Sequence, residues 1–287
     1  MATITPQMVK DLRERTGAGM AECKKALEHS EGSMEGAIEF LRKRGAASAE
    51  KRADRNANEG MVVALSSSDL KEAAIVEVNC ETDFVARNEE FVQFVDSIAS
   101  TVLSSKAADE NQVWNSSVGE KTLGNLRDEI LAKFSEKIEL RRFSVVSQPS
   151  GYVASYIHPG NKLAVLVEFN QPLSDAGKVL ARDIAMQIAA MRPIAVSREG
   201  VDTAVLEKEI EIYKDKALAE GKKPEIAEKI AQGQLNKFYQ ENCLLEQAFV
   251  KDSKMTVNDV VAQIGKESGN DVTITAFKRF ALGESLS

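Results

Sequence analysis

The chain has 287 residues, 43% hydrophobic and 28% charged, with 37 basic against 44 acidic side chains and a net charge of −7. Such a composition suits about two soluble domains with real cores beneath a mixed-charge surface. Three scattered cysteines (Cys23, Cys80, Cys243) and two histidines (His29, His158) tell against a disulfide framework, a zinc site or a serine triad. No apolar run reaches membrane length and no leader pattern is visible, so a reducing cytoplasm is expected.

The first segment predicts three short helices. Thr5 can cap a helix with Pro6 at its first position and Met8, Val9 and Leu12 on one face. Thr16-Gly17-Ala18-Gly19 breaks it, because glycine accepts dihedrals other residues resist. Met20, Cys23, Ala26 and Leu27 carry a second helix, and Ser33 caps a third that places Ala37, Ile38 and Leu41 inward and ends near Gly45. A bundle this small has few large core side chains and is expected to be marginal alone. Residues 42–59 follow with six basic and three acidic groups and no large apolar side chain, which predicts a solvated helix or linker.

An internal repeat organises the rest. GMVVALSSSDLKEAAIVEVN (60–79) aligns without a gap on GYVASYIHPGNKLAVLVEFN (151–170), pairing Gly60 with Gly151, Val62 with Val153, Val76 with Val167, Glu77 with Glu168 and Asn79 with Asn170. Each copy reads as a β-hairpin followed by a helix, Glu89 to Leu103 in the first and Asp175 to Met191 in the second. A closing strand is predicted over 138–147 and again over 274–285, through Arg141-Arg142-Phe143 and Lys278-Arg279-Phe280. The second copy is 46 residues longer between these landmarks. Its surplus, Val201 to Glu241, has helical apolar spacing on both sides of Gly221 and Pro224, as an antiparallel helical hairpin requires. A duplicated α+β core with an inserted helical arm results.

The residues offer no enzyme. There is no phosphate-cradling glycine loop, no HExxH and no G-x-S-x-G, and Glu89-Glu90 occupy consecutive helical positions that point apart. His29 lies on a polar helix end, and His158 in a hairpin turn beside Pro159-Gly160. Cys23 and Cys80 sit in apolar patterns as core thiols. One segment is unusual: Asn79-Cys80-Glu81-Thr82-Asp83-Phe84 leads from a strand toward a helix, with Thr82 or Asp83 able to cap a turn. Phe84 either folds back as a hydrophobic staple, which local physics favours, or stands out as a wedge for a partner.

Three motifs carry a resemblance: VKDLRERTGAGMAECKKAL (9–27), VEVNCETDFVARN (76–88) and GKKPEIAEKIAQGQLNKFYQENCLLEQAFVKD (221–252). The chain resembles the bacterial translation elongation factor Ts family along essentially its whole length. The resemblance implies an α+β fold: an N-terminal three-helix ubiquitin-associated-like bundle with its basic linker (1–55), core subdomain N (56–148) and core subdomain C (149–287). Both subdomains would be α/β units with antiparallel strands, the second carrying a coiled-coil arm at about 198–243. It further implies a non-enzymatic guanine-nucleotide exchange factor for the GTPase elongation factor Tu, needing no cofactor or metal of its own. Thr82, Asp83, Phe84 and Val85 would disturb the GTPase's magnesium site. Lys10, Arg13 and Met20 would make a second contact, and His158 matches a histidine that lies toward the partner.

Some positions depart from the family pattern. SEKI (135–138) stands where members often carry GENI, Ala248 replaces a proline, and the sequence ends at RFALGESLS, so the partner contact that some members make with an extra C-terminal helix is expected to be absent. Neither membrane nor direct nucleic-acid binding is expected, whereas the arm offers a surface for homodimerisation. The reading from a different class is an RNA- or ribosome-binding accessory protein using the basic 42–55 stretch, whose binding would fall steeply with salt.

Overall fold

The computed structural model describes the chain from residue 4 to residue 285, apart from residues 51 and 53 and the side chains of 46–50. The N-terminal bundle contains α1 (Pro6–Thr16), α2 (Met20–His29) and α3 (Met34–Glu50). Thr5 caps α1 by accepting from the Met8 amide, and Gly17 closes it in the left-handed conformation. Val9, Leu12, Cys23, Ala26, Leu27, Ala37 and Leu41 form its small core.

The third helix runs past Gly45, where a stop was expected. Gly45 serves close approach instead: a Cβ there would lie 2.9 Å from the backbone of Ala132. The following Ala-Ala-Ser-Ala-Glu favours continued helix. The linker is also less solvated than expected, since Arg52 is buried and donates to the carbonyl oxygens of Phe134 (3.0 Å) and Glu136 (2.7 Å). Lys51 and Ala53 of the basic stretch lie outside the described residues.

The first repeat copy comprises β1 (Glu59–Ser66), β2 (Glu72–Cys80), the one-turn α4 (Asp83–Ala86), α5 (Glu89–Ser105), α6 (Glu110–Asn115), a small hairpin of β3 (Ser117–Val118) and β4 (Lys121–Thr122), α7 (Leu123–Lys133) and β5 (Glu139–Ser147). The second comprises β6 (Tyr152–Ile157), β7 (Leu163–Phe169), α8 (Asp175–Met191), the arm helices α9 (Thr203–Ala219) and α10 (Pro224–Asn242), a small hairpin of β8 (Ala248–Phe249) and β9 (Asp252–Thr256), α11 (Val257–Ser268) and β10 (Ile274–Ala281). The last strand ends four residues before the predicted limit of 285, turning at Gly283 with positive φ.

Each copy makes a three-stranded antiparallel sheet, ordered β1-β2-β5 and β10-β7-β6. Alternation along the strands then builds four layers. Val62, Ala73, Ile75 and Val146 meet Val153, Ala164, Leu166 and Phe280 between the two sheets. The opposite faces carry Val63, Val76 and Val78 beneath α5, and Val165, Val167 and Phe169 beneath α8 and α11. The central strands β2 and β7 are therefore buried on both faces.

The aligned repeat residues explain themselves in this frame. A Cβ on Gly60 or Gly151 would run into the carbonyl oxygen of Val78 or Phe169 on the paired strand. Asn79 donates to the carbonyl of Ala57 (2.9 Å), and Asn170 to that of Asp271 (3.2 Å). The duplication also extends beyond the predicted elements: Thr122 before α7 and Thr256 before α11 both form capping boxes, with Asn125 and Asp259.

Candidate functional site

The α4 turn begins where β2 ends. Thr82 is its N-cap, its hydroxyl accepting from the Val85 amide at 3.4 Å. Asn88 then caps α5 by accepting from the Glu90 amide (3.0 Å), so the four residues of α4 are held between two caps. Their side chains divide sharply. Val85 and Ala86 enter the core of the first subdomain, whereas Phe84 is 84% exposed, the most exposed large hydrophobic side chain among the described residues. The staple expected from local physics is not formed. Asp83 is part-exposed and pairs with Arg87 one turn on (3.2 Å).

The backbone entering the turn is fastened by a residue far along the chain. Glu136, between α7 and β5, accepts from the amides of Glu81 (3.1 Å) and Thr82 (3.0 Å) and from the Thr82 hydroxyl (2.6 Å). In return the Glu81 carboxylate accepts from the Lys137 amide (2.6 Å) and from Arg55 (3.3 Å). The Lys137 amide above all, with Arg55 adding, holds the Glu81 carboxyl below its ordinary value. The Cys80 thiol, donating to the carbonyl of Thr82 (3.2 Å), is pushed up to about 12 by burial, with the charge of Glu136 adding. It is a structural thiol.

Sequence reasoning overlooked this grip. Its signal was Glu136, the acidic residue that SEKI shares with GENI, passed over because attention went to the two positions that differ, Ser135 and Lys137. Arg52 and Arg55 were likewise read only as parts of a charge run.

The remaining predicted contact residues stand apart from this turn. Lys10 and Arg13 lie exposed on α1, Lys10 beside Glu14 (3.8 Å), and Met20 opens α2 as an exposed apolar side chain. His158 is exposed in the β6–β7 turn, its Nδ1 2.9 Å from the Tyr156 hydroxyl. Among the described residues, no hydrogen bond, ion pair or ring contact joins these groups to Thr82–Val85. A cleft of about 540 Å³ lies between the bundle and the core, lined by Arg15, Phe94, Glu129 and Lys133 among others, and the α4 turn does not line it. No group of three His, Cys, Asp or Glu among the described residues is arranged to hold a metal ion. No helix among them is long and apolar enough to cross a membrane.

Comparison with known proteins decides the lineage. The family described as Elongation factor TS matches residues 81–284, which include the α4 turn, the arm and both closing strands. The chain is 46% identical to Elongation factor Ts of Chloroherpeton thalassium and 45% identical to that of Chlorobaculum tepidum, covering 99% of this chain and 100% of each relative. It is also 45% identical to Elongation factor Ts of Clostridium kluyveri, over 99% of this chain and 94% of that one. The chain belongs to the elongation factor Ts family. It is thus a translation elongation factor by descent, and its α+β architecture, with N-terminal helices before antiparallel sheets, is that of an elongation factor Ts. Because the relatives match along their full length, the bundle is covered as well as the core.

Proposed function

We propose that this chain acts in the cytoplasm as a guanine-nucleotide exchange factor for elongation factor Tu, in its GDP-bound or nucleotide-free state. The observation that carries this reading is Phe84, held outward on a short turn between two capped segments. A factor that binds the nucleotide-free GTPase more tightly than the loaded one must weaken nucleotide binding by the same ratio. Phe84 supplies part of that difference by leaving water for an apolar gap in the partner, beside the magnesium and phosphate site. Burying one Phe contributes roughly 1.5–3 kcal/mol, or about ten- to over a hundredfold. Wider contacts must supply the rest.

Within this proposal Asp83 offers a carboxylate beside the wedge, Thr82 shapes the turn, and Val85 anchors it from the core side. Lys10, Arg13 and Met20 form a second docking patch, and His158 a third. The chain itself transforms no substrate and carries no cofactor; the partner supplies nucleotide, metal and catalysis. The division into 1–55, 56–148 and 149–287 belongs to the same reading. So does homodimerisation through the arm, where Ile212, Leu218 and Ile226 are exposed. The RNA-binding alternative finds little support in the charges of 42–55. Arg42, Lys43, Arg44 and Arg55 approach Glu129, Glu39, Glu22 and Glu81, and Arg52 is committed to backbone carbonyls.

The test is release of labelled GDP from elongation factor Tu with the parent chain and with Phe84→Ala. Truncating so exposed a side chain should leave thermal stability within about 0.5 kcal/mol. GDP release should slow by roughly tenfold or more. An unchanged release rate would refute the wedge.

A further inference from the structure

A four-residue helix does not persist by its own hydrogen bonding. An aromatic side chain on a loose turn gains by folding back onto nearby apolar surface. Phe84 does neither, so something must hold its turn. Glu136 is placed to do so. One carboxylate oxygen takes two successive amides, those of Glu81 and Thr82, while the other takes the Thr82 hydroxyl at 2.6 Å. These are charge-assisted bonds, stronger than neutral ones. The last of them also fixes the rotamer of Thr82, whose oxygen must face the Val85 amide to cap α4.

The clamp is reciprocal, because Glu81 in turn takes the Lys137 amide at 2.6 Å. Each segment thus satisfies the backbone of the other with a carboxylate. The loop carrying Glu136 is itself secured by the linker, since Arg52 donates to its carbonyl oxygen at 2.7 Å and Arg55 reaches Ser135 O at 3.5 Å.

We propose that Glu136 is a positioning residue for nucleotide exchange: it keeps the α4 turn in the one arrangement that projects Phe84, without itself meeting the partner. This rests on the reading of Phe84 given above. The gain is preorganisation, since a turn ordered before binding costs no ordering on contact.

The experiment uses the full chain with Glu136→Ala and Glu136→Gln, each with Phe84 present and in the Phe84→Ala background. GDP release from elongation factor Tu is followed against factor concentration, and hydrogen exchange of the Glu81 and Thr82 amides is followed in the free protein. Glu136→Ala should lower exchange efficiency on the order of tenfold and speed exchange of the two amides. Glu136→Gln retains one acceptor oxygen and should fall between, which also covers the case where the alanine variant does not fold.

If Glu136 works through Phe84, its removal costs little more once Phe84 is alanine. A merely structural role would instead give multiplied losses in the double variant. Multiplied losses, or parental exchange by Glu136→Ala where Phe84→Ala is slow, would overturn the proposal. Failure of the Phe84 reading is told apart: Phe84→Ala would then exchange at the parental rate while the amide result still stood.

Discussion

The repeat contains a controlled comparison of two buried carboxylates, Glu77 and Glu168, which occupy matched positions on the two central strands. Glu77 is fully buried and accepts from Arg141 (3.1 Å), Arg142 (2.6 Å) and the Gly283 amide (2.9 Å). Those arginines also bind the C-terminal segment, Arg141 at Glu284 O (2.7 Å) and Arg142 at Ala281 O (2.9 Å). Arg142 further lies 4.2 Å from the centre of the Phe280 ring. Glu77 therefore fastens the end of the second subdomain onto the first sheet. Among the described residues the Glu168 carboxylate has one hydrogen-bond partner, the neutral amide of Gln148 at 2.7 Å.

Glu77→Gln keeps the shape and removes the charge, leaving Arg141 without its counter-ion and Arg142 with only the more distant Glu284 carboxylate (3.9 Å). Breaking a buried pair costs about 3–5 kcal/mol, and the arginines' partial exposure points to the lower figure, about 3. At about 2 °C per kcal/mol for a chain of this size, Tm should drop by about 6 °C. Glu168→Gln keeps an oxygen able to accept from Gln148 and should cost no more than about 1 kcal/mol. Thermal melts by circular dichroism, with urea midpoints at constant m, measure both. Equal losses for the two variants, or a Glu77→Gln loss under about 1 kcal/mol, would show that the Glu77 clasp is not what joins the subdomains.

Three further outcomes follow from two groups beneath the α4 turn, Cys80 and Glu81. The Cys80 thiol, pushed up to about 12, should resist alkylation near pH 8 until the chain unfolds, as mass spectrometry after iodoacetamide pulses would show. Because the folded state keeps a proton that the unfolded chain gives up near pH 9, Cys80 should weaken folding as pH rises from about 9 toward 12, an effect Cys80→Ala removes. Glu81 has the opposite sign. Its carboxyl is lowered in the fold, so its contribution is present at neutral pH and lost as pH falls through the ordinary carboxylate range to the lowered value. Urea titrations from pH 7 to acid should show a shallower decline for Glu81→Gln.

Legibility followed the range of the interaction. The hairpins, both long helices and the arm could be read from the chain because periodicity and turn residues are local signals, and α8 spans the predicted Asp175–Met191. Gly45 misled because a glycine read as a helix stop was answering a tertiary demand, the approach of Ala132. The helices α7 and α11 were overlooked because their caps pair threonine with Asn125 and Asp259 in place of the more familiar Glu or Gln. Glu136 could not be paired with Thr82 by any local rule, since 54 residues separate them. Phe84 was visible as a candidate, but its outward placement is a tertiary outcome, set where Val85 and Ala86 enter the core and a distant carboxylate meets the turn.

Comparison of the two copies shows where special features enter a duplicated scaffold. Gly60 and Gly151 clear the same backbone, and Asn79 and Asn170 hold equivalent strand ends, so the shared positions are architectural. Past those asparagines the copies diverge. In the second, Ser174 caps α8 four positions after Asn170, and Leu173 turns into the core. In the first, the cap is Asn88, nine positions after Asn79, and the added length forms α4 with Phe84 outside. The second copy spends its own extra length on the arm. The α4 turn has no counterpart in the second copy, so its hold is not part of the shared scaffold. Glu136 and the linker arginines supply it, which ties the exposed aromatic to both the closing strand and the N-terminal bundle.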